Sequence, residues 1–216
     1  MKWSEQAWLS IEPIYESILQ MPFIQELIEG TLPLEKFQYY LMQDSIYLEH
    51  FGRALAIIGS RANTIADMLA FFRFAETTII VENALHESYF KDFGIDNRDG
   101  IQPACHHYSH FLKSTTALEA VEVGMAAVLP CFWIYKAVGD YIYQRQNGNN
   151  NPYQEWINTY AGEEFGIAVK SAISICDNNA AQTTVAIQDK MTEAFIMSSR
   201  LEYDFWEAAY MNRRWK

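Results

Sequence analysis

Leu129-Pro130-Cys131-Phe132-Trp133-Ile134-Tyr135 lies inside an apolar run that reads as one long helix, from about Thr116 to Gln146. A proline in a helix interior removes a backbone hydrogen bond and crowds the carbonyl four residues back, here that of Ala126. The cost is about 3 kcal/mol relative to alanine. A kink with a cysteine directly after it, and Tyr135 one turn further on, points to a site. A kinked core helix with a buried thiol fits the same residues, because unpaired cysteine is among the most buried residue types.

Outward from this segment the chain reads as all-helical. Apolar residues recur at spacings of three and four, as in Phe37, Tyr40, Leu41, Leu48, Phe51, Leu55 and Ile58, with Ser45 the one interruption. Met68, Phe71, Phe72, Ala75, Ile79 and Leu85 form a second stripe. Sustained period-two alternation is not found. Gly30 before Thr31-Leu32-Pro33 marks an end and a restart. Gly59-Ser60 and Phe93-Gly94 close two long helices, and Thr116 with Glu119 fits a capping box that opens another. Asn147-Gly148-Asn149-Asn150-Asn151-Pro152 is the clearest loop, with Pro152 suited to a helix start. Asp177-Asn178-Asn179 reads as the last turn. The predicted helices span about 3–19, 23–29, 34–58, 62–93, 103–114, 117–146, 152–158, 163–176 and 181–211. No composition shift or internal repeat divides residues 1–216, so one helical domain is expected.

Composition narrows the function. The chain has 216 residues, 50% hydrophobic and 15% aromatic, with 27 acidic against 16 basic side chains and a net charge of −11. That charge argues against nucleic acid and against an anionic membrane surface. No charge-free stretch of about 18 apolar residues is present, so no membrane span is expected. Cys105, Cys131 and Cys176 are too few and scattered for a disulfide framework, and reduced thiols in a cytoplasm are expected. The first residues, Met1-Lys2-Trp3-Ser4-Glu5, lack a secretory signal pattern.

Candidate sites lie on the predicted helices. Asp44 and Tyr47 share a face, and a carboxylate on an apolar stripe needs partners or a cavity. Glu202 sits on one side with Phe205 and Trp206, and burial beside aromatics raises a carboxyl pKa toward acid/base work. An exposed acid at the edge of a core stripe fits either sequence as well. For metals, di-iron bundles carry Glu-x-x-His on two helices. Here Glu82 and His86 are four apart and Glu49-His50 are adjacent, so that pattern is missing. His50, His86, His106, His107 and His110 are possible haem ligands, but no motif marks any of them. No metal site is expected.

These residues resemble the TenA/thiaminase II family. Leu129-Pro130-Cys131-Phe132-Trp133-Ile134-Tyr135 followed by Gly139 resembles its Leu-Pro-Cys-x-Trp-x-Tyr signature and later glycine. Asp44-Ser45-Ile46-Tyr47 resembles its Asp-x-x-Tyr. Tyr108 stands where a tyrosine is expected, Trp156-Ile157-Asn158-Thr159-Tyr160 resembles its Trp-x-x-x-Tyr, and Glu202-Tyr203-Asp204-Phe205-Trp206 its Glu-x-x-Phe-Trp. The resemblance spans about residues 3–211, and Cys131 places the chain in the cysteine-containing branch.

The resemblance implies a haem-oxygenase-like helical bundle without haem, assembled as a homotetramer. It implies hydrolysis of 4-amino-5-aminomethyl-2-methylpyrimidine to the hydroxymethylpyrimidine and ammonia, with thiamin as a second substrate and no metal or organic cofactor. Salvage of the pyrimidine half of thiamin would be the role. By resemblance Cys131 is the nucleophile and Glu202 the acid/base. Asp44 would bind the ring edge, and Tyr47, Tyr108, Tyr135, Tyr160 and Phe205 would wall or polarise the pocket. Only Lys136 lies within five residues of Cys131, on another helix face, so no local cation makes the thiolate. A haem or di-iron enzyme on the same fold, and a non-catalytic pyrimidine-binding or regulatory protein, stand as alternatives.

Overall fold

The computed structural model describes residues 1–95, 100–146 and 150–216, with the side chains of Val81, Glu82, Leu85 and His86 set aside. His86 as a haem ligand, Leu85 in its stripe and the first half of the Asn-rich loop therefore lie outside the described residues. Those residues form α1 (Trp3–Leu19), α2 (Pro22–Glu29), α3 (Leu34–Arg61), α4 (Ile65–Asp92), α5 (Pro103–Leu118), α6 (Val121–Arg145), α7 (Gln154–Ala161), α8 (Glu163–Gln182) and α9 (Val185–Tyr210), with no strand among them.

Local chemistry sets many of the ends. Pro22 and Pro103 open α2 and α5, where a missing N–H costs nothing. The Thr64 hydroxyl caps α4 by accepting from Asp67 N at 3.0 Å. Gly30 takes a left-handed φ of 71°, which lets the Thr31 and Gly30 N–H groups reach back to the Glu26 and Leu27 carbonyls. Gly94, at φ 64°, closes α4 in the same way through Ile95 N to Phe90 O.

Two predicted boundaries are overturned by partners distant in sequence. The Thr116–Glu119 pair does not open a helix. α5 runs through Thr116 to Leu118, and the Thr116 hydroxyl donates to Lys113 O inside it. The Arg61 guanidinium, arriving from the end of α3, donates to the Thr116 and Glu119 carbonyls and so serves the end of α5. Asp177-Asn178-Asn179 is likewise not a turn, because α8 continues to Gln182. Asp177 accepts from the Ser4 backbone N–H at 2.9 Å and its hydroxyl at 3.0 Å, capping the start of α1 from across the bundle. Asn179 donates to Asp67 on α4. α3 also runs past Gly59-Ser60 to Arg61, and α7 starts two residues after Pro152.

The α3 stripe is buried throughout, from Phe37 to Ile58. The α4 stripe holds less well, with Phe71 buried and Phe72 40% exposed. α6 passes through Pro130 without interruption at the centre of the bundle. It is apolar and long enough to cross a membrane, yet 78% of its most apolar window is buried against the other helices. The Ser198 hydroxyl of α9 donates to the Ala127 carbonyl at 2.5 Å, next to the turn that the proline disturbs. None of the three cysteines is in a disulfide.

Candidate active site

Facing positions of α3 and α6 enclose the site. Asp44, Leu48 and Phe51 follow one another along α3, and Cys131, Phe132 and Tyr135 along α6. Thr78 of α4, Tyr160 of α7 and Phe165 of α8 complete a cavity of about 330 Å³, its mouth included. Asp44 is only 2% exposed, and Cys131 9%.

Behind this wall lies a second group. The Tyr108 hydroxyl donates to Glu202 Oε1 at 2.7 Å, fully buried between α5 and α9. The Tyr47 ring packs against Tyr108 at 4.8 Å, Phe205 at 5.6 Å and Phe51 at 5.6 Å. Burial pushes the Glu202 carboxyl up to about 8; the Tyr108 hydrogen bond opposes the shift and the Asp44 charge adds to it. Glu202 is therefore mostly protonated at neutral pH. Burial also raises the Tyr47 and Tyr108 hydroxyls well above the usual phenol range, with thiolate charge at Cys131 adding to both. The Tyr47 hydroxyl is buried without a well-formed hydrogen bond, although the Tyr108 hydroxyl lies close enough to influence its proton.

A third network holds the tyrosine wall. Trp156 Nε1 donates to Tyr40 Oη at 3.2 Å, and Tyr40 Oη donates to Tyr135 Oη at 3.4 Å. The Tyr135 ring meets Tyr160 and Trp206 at 4.9 Å each. Gly139 lets α7 approach α6: a Cβ there would lie 2.7 Å from the Tyr160 carbonyl carbon.

Of the residues singled out in the sequence, Asp44, Cys131, Tyr135 and Tyr160 share the cavity wall. Tyr47, Tyr108, Glu202 and Phe205 pack together behind it. Lys136 is occupied away from Cys131, donating to Asp140 at 2.5 Å and to the Ala161 carbonyl at 3.1 Å, where it caps α7. The His106 and His110 rings stack at 4.0 Å on α5, outside the cavity. Among the described residues no three His, Cys, Asp or Glu side chains are placed to hold a metal. The sequence reading missed Leu48, Phe51, Thr78, Phe132 and Phe165 as cavity lining, and Tyr40 as the partner of Tyr135. Phe51 and Tyr40 were legible only as members of a core stripe. Thr78 and Phe165 carry no signal that separates them from ordinary helix residues.

Known proteins share this architecture. The TenA homologue protein from P. horikoshii OT3 superposes with a TM-score of 0.87 at 28% identity, covering 98% of this chain and 99% of its own. A domain of unknown function with a haem-oxygenase-like fold from Shewanella denitrificans OS217 superposes at 0.77 over 96% of this chain and 92% of its own; at 13% identity it bears on the fold alone. In sequence, a Bacillus subtilis (strain 168) protein named aminopyrimidine aminohydrolase is 33% identical over 220 aligned residues, all of this chain and 92% of that protein. Residues 8–212 match the model of one family, and the chain belongs to that family, TENA/THI-4/PQQC.

Proposed function

We infer that the protein is an aminopyrimidine hydrolase of the thiaminase II type. It converts 4-amino-5-aminomethyl-2-methylpyrimidine to the hydroxymethylpyrimidine and ammonia, by covalent catalysis through Cys131. The observation that carries this reading is one small cavity faced by a thiol and a carboxylate from opposite helices, with a second carboxyl held near pKa 8 behind it. The name of the B. subtilis relative, 33% identical over the full chain, supports the substrate class.

The chemistry follows from the substrate. A leaving amine on a methylene attached to an aromatic ring resists direct displacement. Addition of the Cys131 sulfur to the ring forms a C–S bond and breaks aromaticity, and the ring electrons then expel the amine. Water adds to the exocyclic methylene, the C–S bond breaks, and the ring regains aromaticity. Asp44 binds the aminopyrimidine edge and strengthens the ring as an electron sink. Glu202, protonated at neutral pH and near the Asp44 end of the cavity, gives its proton to the pyrimidine ring as the sulfur adds and takes it back when the C–S bond breaks, while the amine enters as its ammonium and leaves as ammonia. With Lys136 engaged by Asp140, the thiol proton passes to a base in the site or to the substrate. Tyr135 and Tyr160 flank the flat ring, and Tyr47, Tyr108 and Phe205 hold the acid in place. Thiamin, cleaved at its thiazolium, is the second substrate.

We read residues 1–216 as one catalytic unit, cytoplasmic and assembled as a homotetramer. Trp3 is buried, Trp8 stacks on Trp133 at 4.5 Å and Trp215 is exposed. Ile65, Leu69, Phe72 and Ile80 leave an apolar face on α4, which favours assembly. The deciding experiment incubates purified protein with the aminomethylpyrimidine, with and without a chelator, and reads the product by mass. Formation of the hydroxymethylpyrimidine and ammonia is expected in both; no turnover in either overturns the reading.

A further inference from the structure

Among the described residues, two carry the cavity lining to the surface. Of its lining side chains, Asp44, Leu48, Phe51, Cys131, Phe132, Tyr135 and Tyr160 are all buried. Only Thr78 and Phe165 retain appreciable exposure. The mouth therefore lies between Thr78 on α4 and Phe165 on α8. The inner end is polar, where Asp44 acts on both Tyr135 and Glu202 through its charge. The outer end is an aromatic band, with Phe132 at 5.5 Å from Phe51, 5.3 Å from Phe74 and 6.5 Å from Phe165.

Both flanks are held in place. Phe165 stands edge-on to Tyr160 at 5.4 Å. Thr78 is β-branched and stiff at χ1. Its neighbour Ile79 packs onto Gly52 of α3, where an added Cβ would lie 2.9 Å from Ile79 Cδ1. The missing side chain at Gly52 thus sets how close α4, and Thr78 with it, stands to the cavity.

We propose that Thr78, opposite Phe165, is a specificity-determining residue that sets the size of leaving group the enzyme accepts. The inference rests on the aminopyrimidine hydrolase reading. With the aminopyrimidine edge at Asp44, the methylene substituent points along the cavity toward the mouth. Ammonia passes any such gap. A substituted thiazolium is about as large as the pyrimidine itself and must occupy the mouth while its bond breaks. A single methylene in a tight apolar contact shifts substrate discrimination about 10-fold or more, so side-chain volume at position 78 decides between the two substrates.

The test compares wild type with Thr78→Ala, Thr78→Leu and Thr78→Val, after melting curves show that each is folded. Aminomethylpyrimidine turnover is measured alone, and thiamin is measured both as substrate and as a competitive inhibitor of that turnover. Thr78→Ala should favour thiamin, in relative kcat/KM or inhibition constant, by about threefold or more, and Thr78→Leu should disfavour it by a similar factor. The readout is the ratio of the two kcat/KM values, measured beside each absolute turnover, because Thr78 lines the same cavity as Cys131 and Asp44. The nearly isosteric Thr78→Val should keep the wild-type preference. An unmoved preference in both the Ala and Leu variants overturns the gate, and so does a Val variant that behaves like Leu. A wild-type protein that turns over neither compound would instead fail the hydrolase reading, and the gate would fall with it.

Discussion

Cys131 and Cys105 are both buried thiols near Asp44, and they differ in what stands in front of the sulfur. Cys131 faces the cavity that Asp44 also lines. Cys105 is sealed: its Sγ donates to the Gln43 carbonyl at 3.3 Å and lies 3.9 Å from the Ser109 hydroxyl. Burial pushes the Cys105 thiol up to about 12; Ser109 opposes the shift and the charge of Asp44 adds to it. A thiol so placed has neither the space for a substrate nor the charge state of a nucleophile. Burial beside an acid does not make a reactive cysteine; an opening onto a shared cavity is also required.

Exchange of the two sulfurs in turn gives the largest expected contrast. Cys131→Ser keeps the shape but offers a far weaker nucleophile, and should lose about 10³-fold or more in kcat. Cys105→Ser should retain wild-type kcat per folded molecule, with a modest loss of melting temperature. Steady-state kinetics beside melting curves on the same preparations measure both. Near wild-type turnover in Cys131→Ser would erase the distinction and with it covalent catalysis.

Glu202 extends the comparison from thiols to acids. Glu202→Gln keeps the acceptor for Tyr108 and removes the transferable proton, so kcat should fall at least about 10²-fold. Stability gives an independent readout. In the folded protein the carboxyl titrates at about 8, above its ordinary value of 4.5, so the folded state binds the extra proton between those values. Its contribution to stability is complete below pH 4.5 and is lost as pH rises through 8. Wild type should therefore lose melting temperature over that interval, and Glu202→Gln should lose less. Equal slopes in the two proteins would mean that the carboxyl is solvated and unfit for the acid role.

Periodicity made most of the fold legible, since the α3 stripe and the Gly30 and Gly94 stops depend on neighbours a few residues away. The same local logic failed at Thr116 and at Asp177. There the deciding partners, Arg61 and Ser4, are distant in the chain, and a polar cluster that reads as a turn is a cap for another helix. In the site, Cys131 and Asp44 were legible because each breaks the chemistry of an otherwise apolar helix. Thr78 and Phe165 were not, because a residue at a cavity mouth looks like any half-buried helix position until the helices are assembled. The layering of Tyr108 and Glu202 behind the wall, with its effect on the carboxyl, also required the packing of α5 against α9.

The smallest expected effect lies two turns beyond Cys131 on the same helix, and asks whether the cavity wall tolerates displacement as well as loss of chemistry. At Gly139 an added Cβ would meet Tyr160 backbone and Cβ at 2.7 and 2.8 Å and the Ala161 nitrogen at 2.9 Å. Backbone atoms of a packed helix cannot rotate away, so α7 must shift and carry Tyr160 with it. At Gly166 the corresponding contact is Lys136 Cε at 2.9 Å, on a side chain whose torsions can adjust while its ammonium stays with Asp140 and the Ala161 carbonyl. Gly139→Ala should therefore cost about 1–3 kcal/mol through overpacking. It should also raise KM more than it lowers kcat, because Tyr160 flanks the ring and does not touch the bond that breaks. Gly166→Ala should be nearly neutral, or slightly stabilising through helix propensity. Denaturant melts with steady-state kinetics on the two variants separate these outcomes. If Gly139→Ala matches Gly166→Ala in both stability and KM, the α6–α7 contact yields without moving Tyr160, and the tyrosine wall is not set by that glycine.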